Sequence, residues 1–551
     1  MGRLLGKKGK AILLLLLYAL PIFAGFNSAD AIQPGMHHGP ADKEMDSITH
    51  PAGILNTEKA ATFLVGGIFL IGIAAIVFVA WRLGKQKYPL DRKSFSYDLL
   101  SFKPLARLIR LKYLRLSLQI VHIAALLVIV YLGFYSVQNH NENIAYTFSW
   151  YIWWPLFFIS ILLLGRIWCM ICPFAAIGDL AQKLVNFKKA YPLEMRDLWI
   201  ALSLFLILHF IYIWHIVGSP FITATVVLWG MVIPAVIVSI IFQRRNFCQY
   251  ICPLGAFLSV YSQVAPIKIA NKSEQVCRDC RTKECFEGNQ YGQGCPVSLT
   301  VPIIKRAGDC LLCMECVKTC QKNNVALNLR PFGHDLWNSL RRTFDEATIG
   351  IVMVGLVVTK TAIMLDAFNQ VVEWLAKKLD FTISLATNML FVGMTFALPF
   401  GFTFLALWLI LKLQQDGQAG FWDMYKVLGY MLLPIALTLQ IAHELEHFLR
   451  DGPLLVGAVS SLFSFSPSMP VFQGLGEMIT TYSVSPDLLF VMQVLIIIGG
   501  FLLTLYAGYR MAITLYDQPK AVKGVLIPMY SLAVIFTMIS VYMMGLSMGG
   551  H

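Results

Sequence analysis

The chain of 551 residues is 57% hydrophobic and 14% charged, with a mean hydropathy of +0.66. A water-soluble domain carries nearer a quarter charged residues, so an ordinary soluble protein is excluded. The net charge of +13, from 44 Lys and Arg against 31 Asp and Glu, would suit a nucleic-acid surface. The basic residues instead gather at the ends of apolar runs, which is membrane topology and not phosphate binding.

Residues 1–31 begin with a basic stretch, pass through "AILLLLLYAL" and end on small residues around Ala29 and Ala31. This reads as a signal peptide or a first membrane helix, followed by an extracytoplasmic segment over 32–60. Apolar runs of about twenty residues, the length that crosses a bilayer, follow near 61–81, 117–136, 150–168, 198–217, 222–243, 347–366, 388–412, 424–443, 487–510 and 525–546. They predict an all-α polytopic membrane protein of about ten transmembrane helices. Arg82, Lys85, Lys87, Arg92, Lys93, Arg107, Arg110 and Arg115 crowd the loop after the first run, which is therefore expected on the cytoplasmic side. Alternation then divides the chain into a membrane unit over 61–243, a polar cytoplasmic block over 244–346 and a second membrane unit over 347–551. The C-terminus falls outside. A bacterial inner (cytoplasmic) membrane is the expected location.

All twelve cysteines lie between Cys169 and Cys320. A disulfide scaffold would spread them through exported loops, so this grouping points to metal or redox chemistry in a reducing compartment. Within the polar block, "CLLCMECVKTC" has the C-x2-C-x2-C-x3-C spacing of bacterial [4Fe–4S] ferredoxins. "CRDCRTKECFEGNQYGQGCP" is a looser relative. In such pairs the last cysteine of each run ligates the other run's cluster. One cluster is thus assigned to Cys277, Cys280, Cys285 and Cys320, and the other to Cys310, Cys313, Cys316 and Cys295. Structural zinc also takes four cysteines, but two interleaved quartets fit clusters better. Gln321 stands where the motif usually has proline, a change expected to tune potential and not to abolish binding. The block is predicted to be an inserted two-cluster ferredoxin-like α+β segment.

Two further pairs stand at the ends of apolar runs: Cys169 and Cys172 in "GRIWCMICP", Cys248 and Cys252 in "RRNFCQYICP". Each pair precedes a proline, which is expected to stop the helix and turn the backbone outward. Three readings stay open for these four residues: a third cluster at the membrane edge, redox-active thiols or a transient metal site, and packing cysteines.

Paired Cys-Pro helix ends followed by a two-cluster segment resemble the membrane polyferredoxins of the NapH, NosR and CcoG type. The likeness covers about residues 100–330. "RRNFCQYICPLGAF" fits the motif directly, whereas the first pair has two residues between its cysteines where the family has three. The resemblance implies electron transfer linked to periplasmic nitrate reduction, nitrous-oxide reduction or cytochrome oxidase assembly.

"HELEH" brings His443 and His447 one helical turn apart. A zinc peptidase would need a third ligand that the sequence does not offer. Copper, iron or haem ligation is the functional reading, and a solvated polar helix end is the bland one. His122 and His209 lie inside apolar runs, where haem or quinone binding competes with simple hydrogen bonding. No catalytic nucleophile is evident. The favoured function is iron–sulfur electron transfer between the cytoplasmic clusters, the quinone pool and a partner redox protein, a cytochrome or a reductase subunit. The chain would then serve as a quinol dehydrogenase or as the electron-transfer subunit of an oxidoreductase complex. The alternative is an accessory reductase or metal-handling factor for an extracytoplasmic copper or haem enzyme. A redox-driven transporter ranks third.

Overall fold

The computed structural model describes residues 57–83, 95–211, 218–339, 341–414, 419–462, 484–515 and 519–546. The expected leader, residues 32–56 and the final "GGH" lie outside these residues. Eight described helices are long and apolar enough to cross a membrane, so the chain is a multi-pass membrane protein. They are Leu114–Tyr135, Ile144–Leu164, Pro220–Ile241, Phe344–Ile363, Ile383–Leu413, Phe421–Asp451, Pro486–Leu515 and Val522–Met544. The count is lower than ten because the runs expected at 61–81 and 198–217 yield shorter apolar stretches, Lys59–Ala75 and Trp199–Phe210.

Two compact units divide the chain. The first holds residues 95–339 with 454–462, and the second holds 57–83, 341–453 and 484–546. In the second unit the Phe344–Ile363 and Phe421–Asp451 helices are almost wholly enclosed by the others. Their backbones meet at glycines: a Cβ on Gly350 would stand 2.4 Å from the Gly429 carbonyl oxygen. The Thr57–Leu83 helix packs on Pro519–Met544 through the same device, since a Cβ on Gly545 would lie 2.3 Å from Ala61.

The polar block of the first unit is not a self-contained insert. Its sheet has the order β1 (Tyr97–Asp98), β5 (Val325–Leu329), β2 (Ile267–Asn271), all antiparallel, and β1 comes from before the first span of this unit. Tyr97 and Ile267 both pair with Leu329. Asp98 seals this edge: Oδ1 accepts from the amides of Leu100 and Leu327 at 3.0 and 3.1 Å, and Oδ2 meets Lys272 Nζ at 3.1 Å. A two-residue ladder, β3 (Gly288–Asn289) with β4 (Gly292–Gln293), is the only other sheet among the described residues. Loops and short helices carry the cysteines, so a ferredoxin-like α+β fold is not clearly seen.

Candidate iron–sulfur centres

Each Cys-Pro motif ends one helix and begins another. The Ile144–Leu164 span stops at Gly165, whose φ of +65° suits only glycine without strain. One turn, Trp168–Ile171, follows, and Pro173 opens the helix Pro173–Leu184. The second motif repeats the plan with Arg244 at φ +55°, a π turn over Phe247–Ile251, and Pro253 opening Pro253–Tyr261. The expectation that proline turns the chain outward is thus corrected. Proline stands first in a new helix, where its missing N–H costs nothing. Cys172 and Cys252 cap those helices, and the Gly255 amide donates to Cys252 Sγ at 3.3 Å. A side chain at Gly255 would collide with the Cys248 carbonyl oxygen, 2.5 Å from its Cβ, which explains the glycine in "CPLG". The unequal spacings are also reconciled: two intervening residues fit the α turn, and the third is absorbed by the π turn.

Cys169, Cys172, Cys248 and Cys252 come together, each within electrostatic reach of the others. Burial pushes the Cys172 thiol up to about 11 and lifts those of Cys248 and Cys252 as well. A quartet of thiols with two members buried and two half-buried does not hold four negative charges alone, whereas a bound iron core would compensate them. Cys295, Cys310, Cys313 and Cys316 line one cavity, whose remaining walls are apolar and include Leu299, Val301 and Met314. The "CLLCMEC" loop wraps this cavity with Leu312 and Met314 in left-handed conformations, φ +49° and +61°. Such residues carry strain of about 1 kcal/mol or more each, a cost the surrounding packing must hold. They turn backbone amides inward, and Leu312 N lies 3.4 Å from Cys310 Sγ.

The third quartet gathers Cys277, Cys280, Cys285 and Cys320 nearer the surface. Here sequence reasoning missed Asn324, which donates from Nδ2 to Cys277 Sγ at 3.1 Å and from its backbone to Cys320 Sγ at 3.4 Å. Thr282 holds the Cys280 thiol below its ordinary value by hydrogen bonding. Among the described residues no three His, Cys, Asp or Glu side chains close on a point that one metal ion could occupy. The all-thiol donor sets fit iron–sulfur clusters, which are held by four cysteine thiolates.

The cysteine segments are braced by buried charge. Asp335 accepts from Arg330 Nη1 and Nη2 at 2.6 and 3.1 Å and from the Ala307 amide at 2.7 Å, three residues before Cys310. Burial alone would raise its carboxyl, but His334 and Arg330 more than offset this and hold it well below the ordinary range. Arg166 donates to the Gly308 carbonyl at 2.6 Å, and Arg244 to that of Cys295 at 2.6 Å.

The histidines are placed differently. His122 Nδ1 is 2.7 Å from the carbonyl oxygen of Leu118 in its own helix, and its ring stands edge-on to Trp168, the neighbour of Cys169. His209 is buried against Phe205. His443 Nδ1 lies 3.1 Å from Thr361 Oγ1 and His447 Nδ1 2.8 Å from Asp451 Oδ2, with the two rings 5.4 Å apart. Beside them runs a buried ion pair absent from the sequence reading: Lys360 Nζ to Glu444 Oε1 at 2.8 Å, joined by Gln440.

Comparison with known proteins matches a 4Fe-4S binding domain family (Fer4_5) to residues 146–192 and 223–271. Those segments contain Cys169, Cys172, Cys248 and Cys252, whereas the ferredoxin-spaced cysteines lie beyond them. The chain is 26% identical over 250 residues, 39% of its length, to the Escherichia coli (strain K12) protein YccM, provisionally designated an electron transport protein. It is 28% identical over 188 residues, 30% of its length, to the uncharacterized protein MJ0750 of Methanocaldococcus jannaschii. The similarity spans 74% of MJ0750 but only 59% of YccM. No solved structure matches. The matched domain and the likeness to YccM support a membrane polyferredoxin-like iron–sulfur protein with a role in electron transfer.

Proposed function

We propose that this chain carries electrons between a redox partner protein and the quinone pool, using three [4Fe–4S] sites. Cys277, Cys280, Cys285 and Cys320 would hold the outermost, Cys295, Cys310, Cys313 and Cys316 the middle one, and Cys169, Cys172, Cys248 and Cys252 the one at the membrane edge. A [4Fe–4S] cluster supplies one-electron transfer at a potential set by charge, hydrogen bonds to sulfur and exposure. The chain's own part is to hold deprotonated thiolates, exclude water and set those potentials. The observation that carries this reading is the convergence of four thiols, two buried and two half-buried, at the ends of two apolar spans. His122, inside a span and edge-on to Trp168, is the residue best supported for contact with a quinone. Basic loop residues support a cytoplasmic position for all three sites.

Iron and sulfide analysis with EPR on the purified protein tests the proposal. Three signals are expected, and Cys248→Ala should remove one while leaving two. Fewer than three clusters in the parent would overturn the three-site reading. Rapid reduction of the clusters by a quinol, slowed in His122→Leu, is expected as well.

A further inference from the structure

A chain of buried charges links two of the three thiol quartets. Arg245 donates from Nη1 to the Cys169 carbonyl oxygen at 3.2 Å and grips Asp179 through Nε at 3.0 Å and Nη2 at 2.5 Å. Asp179 Oδ2 also accepts from Arg115 Nη2 at 3.0 Å. On its other side Arg115 Nη1 meets Glu315 Oε1 at 3.3 Å. Glu315 lies between Cys313 and Cys316. It pairs with Lys318 at 3.1 Å and accepts from the Gln293 amide at 3.0 Å, two residues before Cys295. The guanidiniums of Arg115 and Arg245 are both almost wholly buried. Three cations thus face two carboxylates, and Arg166, buried nearby with its Nη2 3.4 Å from the Cys248 carbonyl oxygen, makes a fourth.

Buried cations in excess of their carboxylates are costly unless another negative charge lies close. Four thiolates around a [4Fe–4S] core are that charge, and each added electron increases it. The outer quartet differs: its hydrogen-bonding neighbours Asn324 and Thr282 are neutral, and the charges that act on Cys277 and Cys280, Glu274 and Glu284, are carboxylates.

We propose that Arg115 is a positioning residue shared by two iron–sulfur sites: through Asp179 and Arg245 it braces the Cys169 segment, and through Glu315 the Cys313–Cys316 loop. Its charge favours the reduced state of both, so their reduction potentials move together. This inference rests on the three-site reading above. Arg115→Met keeps most of the volume and removes the charge, so both potentials fall. The site at Cys277, Cys280, Cys285 and Cys320 keeps its potential and serves as an internal reference. Arg115→Lys restores the charge and brings both values back towards the parent's.

The test is an EPR-monitored redox titration of the purified full-length protein in detergent. The expected result is a negative shift at two sites in Arg115→Met, partial return in Arg115→Lys and no shift at the third. A shift at one site only, at none, or at all three alike overturns the proposal. Should Arg115→Met fail to accumulate with iron, Asp179→Asn probes the same field with the opposite sign. Both potentials should then rise together, and a rise at one alone is equally fatal. Absence of a third signal in the parent refutes the three-site reading itself. Three signals that do not move in company refute only the role of Arg115.

Discussion

Replacing Asp335 by asparagine removes one negative charge while keeping the size of the side chain. Oδ1 faces Arg330 Nη1, and Oδ2 faces both Arg330 Nη2 and the Ala307 amide. Whichever oxygen becomes an NH2, it confronts at least one donor that it cannot satisfy. A lost charge-assisted hydrogen bond costs about 1.5–3 kcal/mol, and Arg330 is left buried without a counter-ion, so the total should reach about 3–5 kcal/mol. For a unit of this size that corresponds to roughly 6–20 °C in melting temperature. The sign with pH follows from the depressed carboxyl. Its contribution is complete above the ordinary value of 3.8 and is lost as pH falls through the lower folded-state value. The gap between parent and variant should therefore narrow as pH falls below 3.8. Thermal loss of the visible cluster absorbance, at fixed scan rate and several pH values, measures it. A drop below about 2 °C, set against the 2–4 °C per kcal/mol expected for such a unit, would refute the assignment of Asp335 as an anchor of the cysteine loop.

Two further outcomes are expected. A Cβ on Gly500 would stand 1.8 Å from Thr438 Oγ1; Gly500→Val should cost about 1–3 kcal/mol, and Thr438→Ala should recover part of it in a thermal melt. Glu444→Leu alone strands Lys360 and should cost about 3–5 kcal/mol, whereas the double variant with Lys360→Met should melt closer to the parent. A double variant no more stable than the single one would show that the pair is not a pair in energetic terms.

The apolar runs made the spans legible, because length and hydropathy suffice to define them. The cysteine spacing made the candidate quartets legible, because thiol ligands have no cheap substitute. What stayed hidden was long-range. Nothing near Tyr97 and Asp98 announces a strand, since two residues carry no period and their partner lies far along the chain. Asp179, Arg115 and Glu315 read as ordinary charges on three separate segments, and only folding joins them. The role of Pro173 and Pro253 was misjudged for a local reason. Proline marks helix ends and helix beginnings alike, and the deciding helix followed the motif. The mismatch between two and three intervening residues looked like a difference of site. It is absorbed by a change of helical pitch, which spacing alone does not reveal.

The sheet edge at β1 also constrains the order of assembly. Asp98 receives the Leu327 amide across 229 residues of sequence, so this edge closes only after synthesis has passed every cysteine. By then the Leu114–Tyr135, Ile144–Leu164 and Pro220–Ile241 spans have been made. Cys169 and Cys172 emerge early and wait for Cys248 and Cys252, just as Cys277 waits for Cys320. Contacts this distant form slowly. Iron loading is thus expected to be a late step in biogenesis, and a nascent chain cut short before Leu329 should remain open to proteolysis along its cysteine loops.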